Sequence, residues 1–248
     1  MFFLPTTNPI LIAAAVIPAV ILLIDIYRRD RLEKEPRRLL ISLVVLGVVS
    51  TVLAVVTEYI GSFLLGLVLT EDSIAYNAVM YFIVVACSEE GTKYILLRRK
   101  TWKSPEFNCQ FDGVVYAVFV SLGFALWENI GYVAAYGLST ALTRALTAVP
   151  GHACFGVFMG AWYGMAKRYE NEKNEKKCRQ SRRLAFWLPV LIHGTYDFIA
   201  TFNTIHAGWI FLAFVIILFI VARHRVKKLS EQDQYFDGKE PIFFPDEL

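Results

Sequence analysis

The chain has 248 residues, a net charge of +3, and 56% hydrophobic residues with glycine left out of the count. Soluble domains reach about 45–50% apolar only when glycine is included. A water-soluble globule, a disordered chain and a disulfide-stapled secreted domain are therefore excluded, and a polytopic membrane protein remains. The four cysteines, Cys87, Cys109, Cys154 and Cys178, show no CxxC spacing, so neither a disulfide framework nor a zinc framework is expected. The small positive balance gives no reason to expect a nucleic-acid partner.

In chain order, apolar stretches long enough to cross a bilayer of about 30 Å fall at about 8–27, 39–60, 73–97, 112–136, 142–166, 184–203 and 207–222. Twenty-three of the 25 lysines and arginines gather in four clusters, Arg28–Arg38, Arg98–Lys103, Lys167–Arg183 and Arg223–Lys239. Basic loops stay in the cytoplasm. The turns near Thr70–Ser73, Gly137–Thr140 and Asn203–His206, free of Lys and Arg, then lie on the far side. The expected fold is an all-α transmembrane bundle of about seven spans, with the N-terminus outside and the C-terminus cytoplasmic. The first span has its basic cluster behind it rather than before it, and reads as an anchor, not a cleaved leader. The second apolar stretch, Leu39 to Leu69, exceeds what a bilayer needs and predicts a break near Glu58–Gly61 followed by a re-entrant piece. One transmembrane domain covers 1–230, with a catalytic core at about 73–203. Residues 231–248 read as a poorly ordered cytoplasmic tail.

Ionisable residues inside spans are costly and mark function. Asp25 and Asp112 lie near a cytoplasmic boundary, and Glu58 and Arg144 near the outer one, and all four read as structural. The others converge. At about 1.5 Å per residue, Glu89 and Glu90 lie about 10–13 Å in from the cytoplasmic ends of their span, His193 about 14 Å, His152 about 21 Å and Glu128 about 24 Å. Four consecutive helices thus carry polar groups to the middle of the bilayer, somewhat to the cytoplasmic side. Glu89 and Lys93 are i,i+4, Glu90 and Lys93 are i,i+3, and His193 and Asp197 are i,i+4, so each set shares a helix face. Pro189 precedes His193 by one turn and frees a carbonyl beside it. His152 heads a stripe Gly156, Gly160, Gly164 suited to close helix approach, and Pro150 is expected to bend that helix. Cys154 reads as a packing residue. The five tryptophans suit interfacial or packing positions.

Buried carboxylates and imidazoles without a cofactor motif leave three classes open: hydrolysis with a glutamate-polarised water, metal-assisted hydrolysis, and proton-coupled transport. A non-catalytic scaffold is a fourth reading. There is no HExxH motif, which disfavours a conventional zinc protease. If a metal is bound, Glu128, His152 and His193 are its candidate ligands. No inverted repeat supports transport.

The ordered set Glu89-Glu90-x-x-Lys93, Phe111-Asp112-Gly113, Gly123-Phe124-x-x-x-Glu128-Asn129, His152 and His193-x-x-x-Asp197-Phe198 resembles the PrsW family of intramembrane proteases. That family is distantly similar to the type II CAAX prenyl proteases, which carry EExxxR, FxxxH and HxxxN. The resemblance covers about residues 73–200. It implies an all-helical, glutamate-dependent peptidase without a cofactor. Its place would be a bacterial inner membrane, and its partner a membrane-anchored, anti-sigma-factor-like substrate. Through it, Glu89 and Glu90 match the pair whose first member activates water. Glu128 stands where the prenyl proteases have a histidine, His193 and Asp197 match the oxyanion pair, and His152 matches the extra histidine of the PrsW branch. Lys93 stands for the prenyl-protease arginine, with Phe124 and Asn129 in support. Glu128 for His and Asp197 for Asn depart from the prenyl-protease pattern and speak against prenylated substrates. An ionised Asp197 would repel an oxyanion, so it is expected to act protonated or only to orient His193. The resulting chemistry would be general-base attack by a Glu89- or Glu128-activated water on a peptide carbonyl near the cytoplasmic half of the membrane.

Overall fold

The computed structural model describes residues 8–71 and 73–236. Among them the regular elements are helical: α1 (Pro9–Arg29), α2 (Arg37–Gly66), α3 (Ile74–Val79), a π-helical stretch Met80–Val85, α4 (Ala86–Thr101), α5 (Asp112–Tyr136), α6 (Leu138–Leu146), α7 (Ala148–Asn171), α8 (Glu175–Ala200) and α9 (Ile205–Glu231). With α3, the π-helical stretch and α4 run together, and α6 a short lead-in to α7, these are seven helical passes, the number that the basic clusters predict; among the described residues five of them are long and apolar enough to cross a membrane.

The basic clusters meet at one end of the bundle. Lys167 donates to the Trp102 carbonyl at 2.9 Å, Asn108 to Glu33 at 2.5 Å, and Ser230 to the Arg29 carbonyl. The Phe111 amide donates to Asp233 at 3.0 Å. By the positive-inside rule this end is cytoplasmic. Asp112 accepts the Asn108 and Cys109 amides at 3.0 and 2.7 Å, and Asp25 pairs with Arg29 at 3.1 Å. Both are structural, as their boundary positions suggest. The first tail residues are not loose: Tyr235 bridges to Cys109 and the Phe236 amide donates to the Asn108 carbonyl at 2.8 Å. The rest of the expected tail, 237–248, lies outside the described residues.

Helix α5 is the axis, buried without interruption from Asp112 to Ala125. Glycines let two neighbours approach it backbone to backbone. A Cβ on Gly113 would lie 2.5 Å from the Gly164 nitrogen of α7, and one on Gly47 of α2 would lie 2.7 Å from the Phe124 nitrogen. Such contact gains dispersion and excludes lipid where no hydrophobic force is available. Ser121 of α5 then donates to the His152 carbonyl at 2.6 Å, fixing the register in which His152 faces Phe124.

Three local expectations change. Helix α2 runs unbroken through Glu58–Gly61, because Gly61 receives Val84 of the π-helical stretch instead of ending the helix (an added Cβ would meet Val84 Cγ1 at 2.7 Å). Pro150 is the third residue of α7, in the first turn, where no intrahelical amide is lost, so it does not bend the helix. The span expected to start at 142 instead begins with α6, after Gly137 in the left-handed region (φ 81°) and before a break at Thr147.

The α1–α2 loop buries two carboxyls, Asp30 at 1% and Glu35 at 2% exposure. Burial raises Asp30 to about 7 and Glu35 to about 8, the latter despite a 2.7 Å hydrogen bond from Tyr116. Both bind their proton more tightly folded than unfolded. Stability is therefore fullest below their unfolded pKa values and is lost as pH rises through about 4 to 8. The thermal midpoint in detergent is expected to fall across this window, and to fall less in Glu35→Gln; an equal slope in both proteins contradicts this.

Candidate active site

Five helices deliver one connected polar cluster, and Lys93 of α4 is its centre. Its side chain is fully buried. Nζ lies 2.8 Å from Glu90 Oε1, 3.2 Å from Glu89 Oε2 and 3.2 Å from His152 Nδ1 of α7. It also sits 3.8 Å from the centroid of the Phe124 ring of α5. Three donor hydrogens thus meet three acceptors, with a cation–π face beneath.

Two arms extend from this centre. On one side, Glu90 Oε1 also meets His193 Nδ1 of α8 at 3.0 Å, and His193 Nε2 meets Asp197 Oδ2 at 3.2 Å. Phe155 stacks on the His193 ring at 4.6 Å between centroids. On the other side, His152 Nε2 meets Glu128 Oε2 of α5 at 2.9 Å. Glu128 Oε2 accepts from Arg144 Nη2 of α6 at 2.8 Å, and Arg144 Nε donates to Asn129 at 2.9 Å. Asn129 donates onward to the Ala15 carbonyl of α1 at 2.7 Å. The polar chain runs unbroken from Asp197 to α1.

Proton positions follow from donor chemistry. An ammonium only donates, so His152 Nδ1 accepts and its proton is on Nε2, directed at Glu128. His193 has a carboxylate oxygen against each nitrogen, an arrangement met by an imidazolium or by a proton on one of the two acids. Asp197 therefore holds the His193 ring.

All nine residues singled out from the sequence are in this network, and Arg144, read there as a boundary residue, joins them by pairing with Glu128 at 2.8 Å. The available signal for Arg144 was that it and Lys93 are the two basic residues outside the four clusters. Its address near an apparent span end obscured it, because α6 folds back as a separate short helix.

At about 1.5 Å per residue, Glu89 and Lys93 lie about 18 and 12 Å from the basic end of α4, and His193, Glu128 and His152 about 27, 24 and 28 Å from the basic ends of α8, α5 and α7. Helices α7 and α8 continue past the boundary that hydropathy marks, through Lys167–Arg168 and Lys176–Arg183, so part of that length lies outside the membrane.

A membrane bundle enclosing a Glu, His and Lys cluster is the architecture of an intramembrane protease. The model of the family described as "PrsW family intramembrane metalloprotease" matches residues 35–223. Proteins named "Protease PrsW" are similar over nearly the full length. That of Oceanobacillus iheyensis is 34% identical over 89% of this chain and 96% of its own. That of Geobacillus kaustophilus is 34% identical over 88% and 91%, and that of Bacillus subtilis 32% over 88% and 94%. No solved structure matches significantly. The chain belongs to the PrsW family and is a multi-pass membrane protease.

The family description implies a metal. The metal-type donors that come together here, within 4.8 Å of one another, are Glu89, Glu90 and His152; the trio Glu128, His152 and His193 does not form such a group among the described residues. One buried oxygen, Glu90 Oε2, is unpartnered. Yet Lys93 Nζ already lies within 3.2 Å of a donor atom of each member. A divalent ion would have to share or displace a buried ammonium, against strong repulsion in a low-dielectric site. As arranged, these residues fit the lysine and not a metal.

Removing one partner of a buried ion pair typically costs about 3–5 kcal/mol. Lys93→Met is expected to lower the unfolding midpoint sharply, with Lys93→Met/Glu90→Gln recovering roughly half, as read by thermal unfolding in detergent. A neutral Lys93→Met would show that the ammonium does not hold the helices.

Proposed function

We propose that this protease is of the glutamate-dependent type and that Glu89 is its general base. The supporting observation is the unequal engagement of the carboxylates. Glu90 is fully buried between Lys93 and His193. Glu128 is tied to Arg144 and His152. Glu89 has a single short contact, 3.2 Å to Lys93, and its side chain keeps 8% exposure. A carboxylate held by two cations is a poor base; the least compensated one is the better proton acceptor.

In this reading Glu89 takes a proton from water as the oxygen attacks a peptide carbonyl. His193, whose Nε2 lies 3.9 Å from Glu89 Oε2, is the imidazole donor for the developing oxyanion. Asp197 orients it, and Glu90 fixes its other nitrogen. Glu128, His152 and Arg144 hold the far wall. Lys93 keeps the whole set charged in a medium that would otherwise neutralise it. Against a proton relay, the chain passes through Arg144, whose guanidinium does not release a proton.

The substrate is inferred to be a membrane-anchored protein of anti-sigma-factor type. The cut is inferred to fall within the membrane-spanning segment, where the cluster lies. The relatives named above are bacterial, which supports the bacterial inner membrane as location.

The test is cleavage of a single-span substrate by the reconstituted chain. Glu89→Gln is expected to lower the rate by about 10²–10⁴, the usual contribution of a general base, with KM little changed. Asp197→Asn should lose less, because an amide still accepts from His193. Full activity in Glu89→Gln removes this assignment.

A further inference from the structure

A groove outside the active site lies on the lipid-facing side of α4 and α8. It has a volume of about 550 Å³. Its upper rim carries Arg98 of α4 and Arg179, Arg182 and Arg183 of α8. Among the described residues no carboxylate lies within 4.0 Å of any of these four guanidinium groups. The nearby acids are engaged elsewhere: Glu170 with Lys167 and Trp102, and Glu172 with Arg168. Arg182 is half-buried, with its guanidinium carbon 5.7 Å from the centroid of the Trp102 ring. Four unneutralised guanidinium groups facing one another across two helices repel, and an anion between them relieves that repulsion.

The groove changes character along the membrane normal. About one to two turns below the arginines, roughly 5–10 Å at about 1.5 Å per residue, its wall is apolar. Phe186 reaches across to Gly91, where an added Cβ would lie 3.6 Å from the ring. Trp187 and Ile95 are each 49% exposed, which in a transmembrane helix means exposure to acyl chains. An anion-binding rim at the cytoplasmic interface over an apolar trough fits an amphiphile with a negative head. Guanidinium groups bind phosphate oxygens bidentately, and basic pockets between transmembrane helices on the cytoplasmic side recognise anionic lipid head groups.

We propose that this groove is a binding site for one anionic glycerophospholipid, its phosphodiester held by Arg98, Arg182 and the flanking Arg179 and Arg183, and one acyl chain laid past Phe186 and Trp187. The two helices it joins are those that carry Glu89, Glu90 and Lys93 on one side and His193 and Asp197 on the other. Their contact in the active site is the 3.0 Å Glu90–His193 bond. A lipid across their cytoplasmic ends thus clamps the same pair of helices from the opposite face. This does not depend on which residue is the base, and its readout is binding.

The purified full chain is titrated with phosphatidylglycerol and with phosphatidylcholine, counting bound lipid by native mass spectrometry and following the thermal midpoint. One phosphatidylglycerol is expected to bind in preference and to raise the midpoint. Replacing Arg98, Arg179, Arg182 and Arg183 by Gln should weaken that preference about tenfold or more, given roughly 1 kcal/mol per basic residue near an anionic surface. Should that variant not fold, Arg98→Gln/Arg183→Gln, both at exposed positions, serves in its place. A control with Arg37, Arg99, Arg225 and Lys228 replaced by Gln, all exposed and outside the groove, should keep the preference. Equal loss in groove and control variants would reduce the effect to diffuse interfacial charge and overturn the proposal. So would the absence of any preference. Displacement of the lipid by a soluble Glu-rich peptide at similar concentration would make this a site for an acidic protein segment instead.

Discussion

The structure depends on one buried ammonium. An isolated lysine at this depth would lose its charge or draw in water. Lys93 is relieved of both, because two carboxylates, an imidazole and an aromatic face surround it and take the place of water. These partners come from α4, α7 and α5, so the charge is solvated only when those helices are correctly registered. The glycine crossings of α5 with α7 and α2 supply that registration. The electrostatic and the packing constraints are thus mutually conditional: without close approach the lysine is unsolvated, and without the lysine the acids repel.

The same arrangement sorts otherwise similar carboxylates into different tasks. Glu90 and Glu128 are consumed by pairing, Asp197 is turned toward His193, and Glu89 is left with a single short contact. In the function proposed above, a cation fixed by the protein chain would provide the positive field that a metal supplies in other hydrolases. The small number of exposed atoms at the cluster also keeps bulk water out, which strengthens every one of these contacts.

Much of this was legible in the sequence because it is written in spacing. Basic clusters report sidedness, and i,i+3 and i,i+4 offsets report a shared helix face; both survive folding. What was not legible depends on contacts between distant segments. Gly61 looked like a helix breaker and is a contact for Val84. The π-helical stretch Met80–Val85 has no signature in its residues, yet it sets the rotation from which Glu89 and Lys93 face inward. Arg144 looked like a boundary charge until α6 folded it over Glu128. Helix length was not legible either: hydropathy marks where lipid ends, while α7 and α8 continue beyond it.

The central claim is that Lys93, and not a metal ion, is the cation at the centre of the active cluster. Its most direct test is metal content measured on the active enzyme itself, with active molecules counted by a mechanism-independent burst or titration and elements quantified in the same sample. The account predicts far less than one zinc, or any other transition metal, per active chain, and undiminished activity in that preparation. One tightly held metal per active chain, lost together with activity in Glu89→Gln or His152→Ala, would contradict it.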